Sequence, residues 1–174
     1  MNNIPISISD KLSEEVYQKM KNLKEIEFEY GNVIYFSKEN IDDGQAGFRY
    51  NGLTGELISD WPDDNLIIIG IDGSIGDGGE PIMLKVTDPN LPIYHFENLD
   101  WNYPGVIANS LDDYIKINNI IFEFESEIKE SNLNEHDFIY LIDTIKSIND
   151  NPYWINFLIT AAPNNESWVE SWIQ

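Results

Sequence analysis

The chain contains no cysteine and little basic charge, and each shortage excludes a class of protein. Without cysteine there is no disulfide framework, no thiolate metal site and no cysteine nucleophile. The N-terminus lacks the basic and apolar segments of a signal peptide. No stretch approaches the ~20 apolar residues that a membrane-spanning helix needs. Together these absences predict a soluble, cytoplasmic protein.

Basic residues are scarce enough to restrict the choice of partner. Lysine and arginine number 10 against 31 aspartates and glutamates, which gives a formal net charge of −21. Nucleic acids and anionic membranes repel such a chain. Between Arg49 and Lys116 the only lysine or arginine is Lys85, whereas the stretch from Asp60 to Asp113, both included, holds eleven carboxylates. This charge suits a basic protein partner, although solubility alone is an alternative explanation.

Hydrophobic periodicity predicts one α+β domain across the 174 residues, with helices flanking a central, mainly antiparallel sheet. Capping patterns that begin at Ser7, Ser110 and Asn134 predict the starts of three helices. These helices are expected over 8–23, over 111–130 and from Asn134 to about Asn151-Pro152. Strands are predicted at 25–30, 33–36, 65–71, 81–86 and 91–96, with a turn at Gly31-Asn32. Residues 153–162 fit either a strand or a helix, and a short terminal helix carries Trp168 and Trp172.

The glycine-rich stretch "IGIDGSIGDGGEPIML", residues 69–84, could bind phosphate, bind a cation or form a turn. It lacks the lysine and the following Ser or Thr of a P-loop, and a strand rather than a helix follows it. Asp72, Asp77 and Glu80 supply oxygen ligands, but the spacing fails the EF-hand pattern. A strand–turn–strand connection with glycines at positive φ explains the stretch best.

The remaining patterns for catalysis and metal binding are weak. Pairs of carboxylates could hydrolyse glycosides, but 31 acidic residues make such pairs inevitable. His95 and His136 stand alone in the sequence, so neither a zinc site nor a cofactor is expected. No nucleophile-elbow motif is present. The aromatic residues around Asp100 either pack in the core or form anchors for a basic protein surface.

Four segments in order resemble the SUKH superfamily: "GFRYNGLTGELISDWPDD", "LIIIGIDGSIGDGGEPIMLKV", "LPIYHFENLDW" and "VIANSLDDYIKI". The superfamily includes fungal cell-wall-synthesis regulators and many bacterial immunity proteins of polymorphic toxin systems. Matching positions include Trp61, the acidic turn that leads to Pro81, Tyr94, and Ser110 with Leu111. The resemblance covers roughly residues 33–117.

The resemblance implies a non-catalytic protein that binds and neutralises a cognate toxin, with a nuclease as one possibility. Its alternatives are a regulatory scaffold of the cell-wall-regulator type and a small hydrolase that uses carboxylates. The chain is expected to be a monomer or a weak homodimer. The predicted partner-binding residues are Asp63, Asp64, Asp72, Asp77, Glu80, Glu97, Asp100, Trp101 and Tyr103.

Overall fold

Six strands form one antiparallel sheet in which each strand pairs with its neighbours in the sequence. The computed structural model describes residues 7–28, 31–73, 79–96, 104–130 and 133–161. The strands are β1 (Ile26–Phe28), β2 (Gly31–Tyr35), β3 (Leu66–Asp72), β4 (Glu80–Lys85), β5 (Ile93–Phe96) and β6 (Pro104–Ala108). A long segment connects β2 to β3, and it packs on the sheet as described below.

Helices follow the sheet in the sequence, apart from one that precedes it. They are α1 (Glu14–Met20), α2 (Leu111–Glu123), α3 (Glu125–Lys129), α4 (Glu135–Ile148) and α5 (Pro152–Ala161). Ser110 Oγ accepts a hydrogen bond of 3.0 Å from the backbone N of Asp113, at the start of α2. Asn134 Oδ1 accepts one of 3.0 Å from the backbone N of Asp137, at the start of α4. Both predicted caps are therefore confirmed.

The two faces of the sheet are covered by different parts of the chain. On one face, Ile67 and Ile82 belong to a core that includes apolar side chains of α1, α2, α4 and α5. On the other face, Ile68 and Met83 pack with Trp61 from the connection between β2 and β3. Burial on both faces explains why β3 and β4 read as continuous apolar runs.

Two buried side chains, Gln45 and Arg49, bond to the edge of β3 beyond the end of β2. The last pair between β2 and β3 joins Tyr35 to Gly70. Upstream of this pair, Gln45 Nε2 donates to the carbonyl of Ile68 at 2.8 Å, and its Oε1 accepts from Ile68 N at 3.2 Å. Arg49 Nη1 donates to the carbonyl of Leu66 at 2.9 Å. The two side chains thus take the place of a further stretch of strand.

Side chains also reach both edge strands of the sheet. At β1, Glu125 Oε1 accepts a hydrogen bond of 2.6 Å from the backbone N of Glu27. At β6, the carbonyl of Ile107 accepts one of 2.7 Å from Trp154 Nε1. These bonds join α3 and α5 to opposite edges of the sheet.

The predicted N-terminal helix over 8–23 is wrong in its extent. A short 3-10 helix covers Ile8–Lys11, and α1 begins only after Ser13, whose side chain caps it. Ser7 makes no capping bond, and its hydroxyl donates instead to the carboxylate of Asp42. A tertiary partner therefore replaces the local bond that the sequence pattern suggested.

Two further boundaries differ from the prediction. Gly31 and Asn32 lie within β2, where they pair with Phe28 and Glu27, so the predicted turn at these residues is wrong. The predicted helix over 111–130 divides at Phe124, because the backbone N of this residue bonds to carbonyls in a tightened turn between α2 and α3.

Three further segments have short or ambiguous sequence patterns. Strand β6 was not predicted, because it opens with Pro104 and Gly105 and leaves only a short apolar run. Residues 153–162, for which the sequence allowed a strand or a helix, fall largely within α5. The predicted terminal helix with Trp168 and Trp172 lies outside the described residues.

The predicted fold class is confirmed, since an antiparallel sheet flanked by helices defines an α+β domain. None of the helices in the described residues combines the length and apolar character needed to cross a membrane.

Candidate functional site

The end of the sheet where β3 leads to β4 brings two predicted partner-binding carboxylates together. Asp72 closes β3 and Glu80 opens β4, and the two are register partners. Gly73 has a φ of +103°, so the predicted positive φ is confirmed there. Gly79 is required for a different reason, because a Cβ at this position would lie 2.6 Å from Ile71 Cγ2.

Asp72 and Glu80 flank the imidazole of His95, and with Tyr153 they form what we term the Asp72 cluster. His95 Nε2 lies 3.6 Å from Asp72 Oδ2 and 3.4 Å from Glu80 Oε2. The Tyr153 hydroxyl donates to Asp72 Oδ2 at 2.9 Å, and its ring centroid lies 4.7 Å from that of His95. The cluster therefore joins β3, β4 and β5 to α5.

Burial divides the cluster into an inner and an outer part. His95 is 3% exposed, whereas the side chains of Asp72 and Glu80 are 22% and 28% exposed. Although two carboxylates lie within ion-pairing distance, neither ring nitrogen of His95 makes a hydrogen bond in the described structure. Buried polar atoms are nearly always hydrogen-bonded, so the two ring nitrogens of His95 are an exception.

A second polar layer lies between the sheet and α2. The hydroxyls of Tyr35 and Tyr114 are 3.0 Å apart, and Asn118 Nδ2 donates to Tyr35 Oη at 3.0 Å. Asn118 also bonds to both the backbone N and the carbonyl of Lys24. This network holds α2 against β2, the strand that carries Tyr35.

Burial raises the pKa of Tyr35, Tyr114 and Tyr153, and the negative charge of Asp72 adds to the effect at each of them. These hydroxyls thus stay protonated in the folded chain at a pH where they ionise in the unfolded chain. The pKa of a tyrosine in an unfolded chain is about 10. The stability that comes from the protonated hydroxyls is therefore complete below about pH 10 and is lost as the pH rises further.

Replacing Tyr153 with phenylalanine is expected to make alkaline unfolding less steep. Above about pH 10, each such tyrosine lowers the free energy of unfolding by about 1.4 kcal/mol per pH unit. The variant lacks one of these tyrosines, so its free energy of unfolding falls less steeply. Urea unfolding at several pH values between 9 and 11 measures the slope. Tyr140→Phe is the matched control, because Tyr140 is 58% exposed. Equal slopes in the two variants would contradict the assignment to Tyr153.

Of two cavities lined by described residues, the one beside the cluster is small. The cavity between Tyr153, Tyr114 and Tyr35 has a volume of only about 10 Å³, which is too small for a substrate. Another cavity, of about 460 Å³, opens between α1 and the residues after β2, and no predicted site residue lines it. Among the described residues, no group of three or more His, Cys, Asp or Glu side chains is arranged to hold a metal ion.

The other two described site residues, Asp63 and Asp64, lie at the opposite end of β3. The length of this strand separates them from Asp72 by about 20 Å. Asp63 Oδ2 lies 3.4 Å from Lys85 Nζ, and Asp64 Oδ1 accepts a hydrogen bond of 3.2 Å from Arg49 Nη2. Burial acts to raise the pKa of Asp63, but hydrogen bonds from Asn65 and Lys85 outweigh it and lower the pKa. Both carboxylates are thus held by cations of the chain itself.

The structure brings together only part of the predicted site. Asp72 and Glu80 adjoin, whereas Asp63 and Asp64 form a separate pair. The remaining predicted residues lie outside the described residues, namely Asp77, Glu97, Asp100, Trp101 and Tyr103.

His95 and Tyr153 belong to the cluster although the sequence did not predict them as site residues. His95 stands alone in the sequence, but in the fold strand pairing places two carboxylates beside it. One signal was available: His95 follows Ile93 at a spacing of two, which puts both on the helix-covered face of the strand. No comparable signal existed for Tyr153, which is distant in the sequence.

Comparison with protein-family models, with curated proteins and with solved structures finds no match to the chain. The resemblance to the SUKH superfamily therefore stays a prediction from the sequence motifs.

Proposed function

We propose that this chain is a non-catalytic cytoplasmic protein that binds a basic protein partner through its acidic surface. The SUKH-like motifs specify this proposal further: the partner is a cognate toxin, and the chain is the immunity protein that neutralises it. The placement of charge in the fold is the observation that supports binding to a basic partner.

None of the carboxylates in the described part of the chain is buried, whereas the basic side chains of Arg49 and His95 are. Moreover, the chain has 31 carboxylates but only 10 lysines and arginines, so in one-to-one pairing at least 21 carboxylates have no such partner. The excess negative charge is therefore directed to the surface. A surface of this kind attracts a basic protein from a distance and speeds its association.

An acidic surface also suits the inhibition of a toxin that acts on nucleic acid. The active site of such a toxin must attract phosphates, and the carboxylates of an inhibitor compete for the same basic groups. Inhibition then requires binding alone and no catalytic residue in the inhibitor.

The proposal is tested by capturing partners from the native host with the tagged protein, at low salt and at about 0.5 M salt. At the higher concentration the Debye length falls to a few ångströms, which weakens contacts between exposed charges. We expect one basic protein in stoichiometric amount, lost at high salt, whose toxic activity the chain inhibits in a purified assay.

Three other results, from this capture or from activity assays, would contradict the proposal. Recovery of several cell-envelope or signalling proteins would support the regulatory scaffold instead. Turnover of a glycoside or ester that depends on Asp72 or Glu80 would support the small hydrolase. A captured basic protein whose activity is unchanged by the chain would exclude neutralisation.

A further inference from the structure

The segment that connects β2 to β3 contains a short hairpin. Tyr50 and Leu57 form an antiparallel bridge between its two arms. At its tip, Asn51 Oδ1 accepts a hydrogen bond of 2.9 Å from the backbone N of Leu53. We term this element, residues 50–57, the Leu53 hairpin.

The base of the hairpin is held to the sheet by the residue before it, Arg49. The backbone N of Ile58 donates to the Arg49 carbonyl at 2.9 Å, which closes the two arms. The Arg49 side chain is buried, and it donates to the carbonyls of Leu66 and Asp64 at 2.9 and 3.0 Å. The hairpin therefore presents its tip from a fixed base.

The apolar side chains of the hairpin face solvent. Leu53 is 99% exposed and Leu57 is 50% exposed. In the described part of the chain, the other large apolar side chains that are exposed are Phe122 on α2 and Tyr140 on α4. A leucine held in water contributes little to the packing of its own chain, but its burial by another molecule is favourable. The hairpin thus offers an apolar contact to a partner.

The charge around these leucines indicates the kind of partner. Between Lys38 and Lys85 the only lysine or arginine is Arg49, whose side chain is buried. Glu56 and Asp60 are exposed, and their carboxylates accept hydrogen bonds from neighbouring hydroxyls. An apolar tip accompanied by carboxylates complements an apolar recess bordered by basic side chains, whereas an anionic membrane would repel it.

We infer that the Leu53 hairpin docks into an apolar recess, bordered by lysine or arginine side chains, on the protein partner. This inference rests on the proposed function and adds a specific apolar contact to the attraction between charges. The carboxylates speed the approach of the basic partner, and burial of Leu53 slows its release. Salt screens the first effect but not the second, so the factor that Leu53 adds to the affinity persists at high salt.

The probe is an amphipathic helical peptide of leucine and lysine, and octalysine is the purely cationic reference. Titration calorimetry measures both affinities at low salt. We expect Leu53→Ser to weaken binding of the amphipathic peptide about tenfold, because the variant has no leucine to bury at this position. Binding of octalysine is expected to stay unchanged.

Two further variants control for the loss of any exposed apolar side chain. Tyr140→Ser removes one from α4, where Tyr140 is 58% exposed, and it is expected to bind both peptides as the wild type does. Leu53→Met keeps an apolar side chain at the tip and is expected to retain the affinity. Thermal unfolding checks that each variant folds, as expected for replacements at exposed positions.

The methyl NMR signals of Leu53 give a second readout, since the amphipathic peptide is expected to shift them and octalysine is not. Equal affinities of Leu53→Ser and Tyr140→Ser for the amphipathic peptide, with unmoved Leu53 signals, would exclude the hairpin as the docking surface, although attraction of a basic partner stands. Binding to phosphatidylcholine vesicles that Leu53→Ser abolishes would overturn the inference in favour of a lipid surface. If the wild type binds neither peptide, the proposed function is contradicted together with the inference.

Discussion

Replacing Gln45 with leucine is expected to lower the free energy of unfolding by about 3 kcal/mol, which is a large effect for one side chain. Gln45 is completely buried and makes three hydrogen bonds. It donates to the carbonyls of Ile41 and Ile68 and accepts from the backbone N of Ile68. Leucine fills a similar volume but cannot form any of these bonds.

The loss of stability arises at β3, because β2 is too short to pair with the whole length of β3. The pairing of β2 with β3 ends at Gly70, so Ile68 finds its partner on that side in the Gln45 amide. Removing the amide leaves the N and the carbonyl of a buried residue without partners, and each such loss costs about 1–3 kcal/mol.

Urea unfolding followed by circular dichroism measures the difference, with Gln18→Leu as the matched control. Gln18 is exposed on α1, so this control is expected to change stability by less than about 0.5 kcal/mol. Similar losses in the two variants would show that Gln45 does not hold the edge of β3.

Replacing Gly70 with alanine is expected to lower the free energy of unfolding by about 3 kcal/mol, through a steric conflict. A Cβ at this position would lie 2.4 Å from the carbonyl oxygen of Ile34 and 2.7 Å from Cδ1 of Tyr35. The first of these atoms is backbone in the neighbouring strand, so it cannot move without separating β2 from β3. Relief of the second contact displaces Tyr35 from its hydrogen bonds to Tyr114 and Asn118.

Gly52→Ala is the matched control for Gly70→Ala. At Gly52 the nearest atom to an added Cβ is 3.9 Å away, and the residue has no positive φ that an alanine would strain. We expect this control to alter stability by less than about 1 kcal/mol. A thermal midpoint that falls equally in both variants would contradict the steric explanation at Gly70.

The sequence predicts those elements of this fold whose signals are local. The apolar runs that form β3, β4 and β5 are recognisable without any partner, and so are the caps at Ser110 and Asn134. Where a distant residue decides the outcome, prediction fails. Ser7 resembles a helix cap, but its hydroxyl bonds to Asp42 across the fold.

The same distinction applies to the candidate site. The sequence places Asp72 and Glu80 in one strand connection, so their proximity follows from the chain itself. His95 enters the cluster through the pairing of β4 with β5, and Tyr153 enters through the packing of α5 on the sheet. Neither register nor helix packing can be read from a single sequence, which is why the buried imidazole was missed.

The side-chain bonds at the two edge strands bear on how copies of this chain meet one another. An exposed strand edge is a template on which a foreign strand can add, and it is a common start of aggregation. Here Glu125 occupies the amide of Glu27 at one edge, and Trp154 occupies the carbonyl of Ile107 at the other. An incoming strand would have to displace a carboxylate or a buried indole before it could pair. At these two positions the edges of the sheet are thereby protected against the addition of a foreign strand.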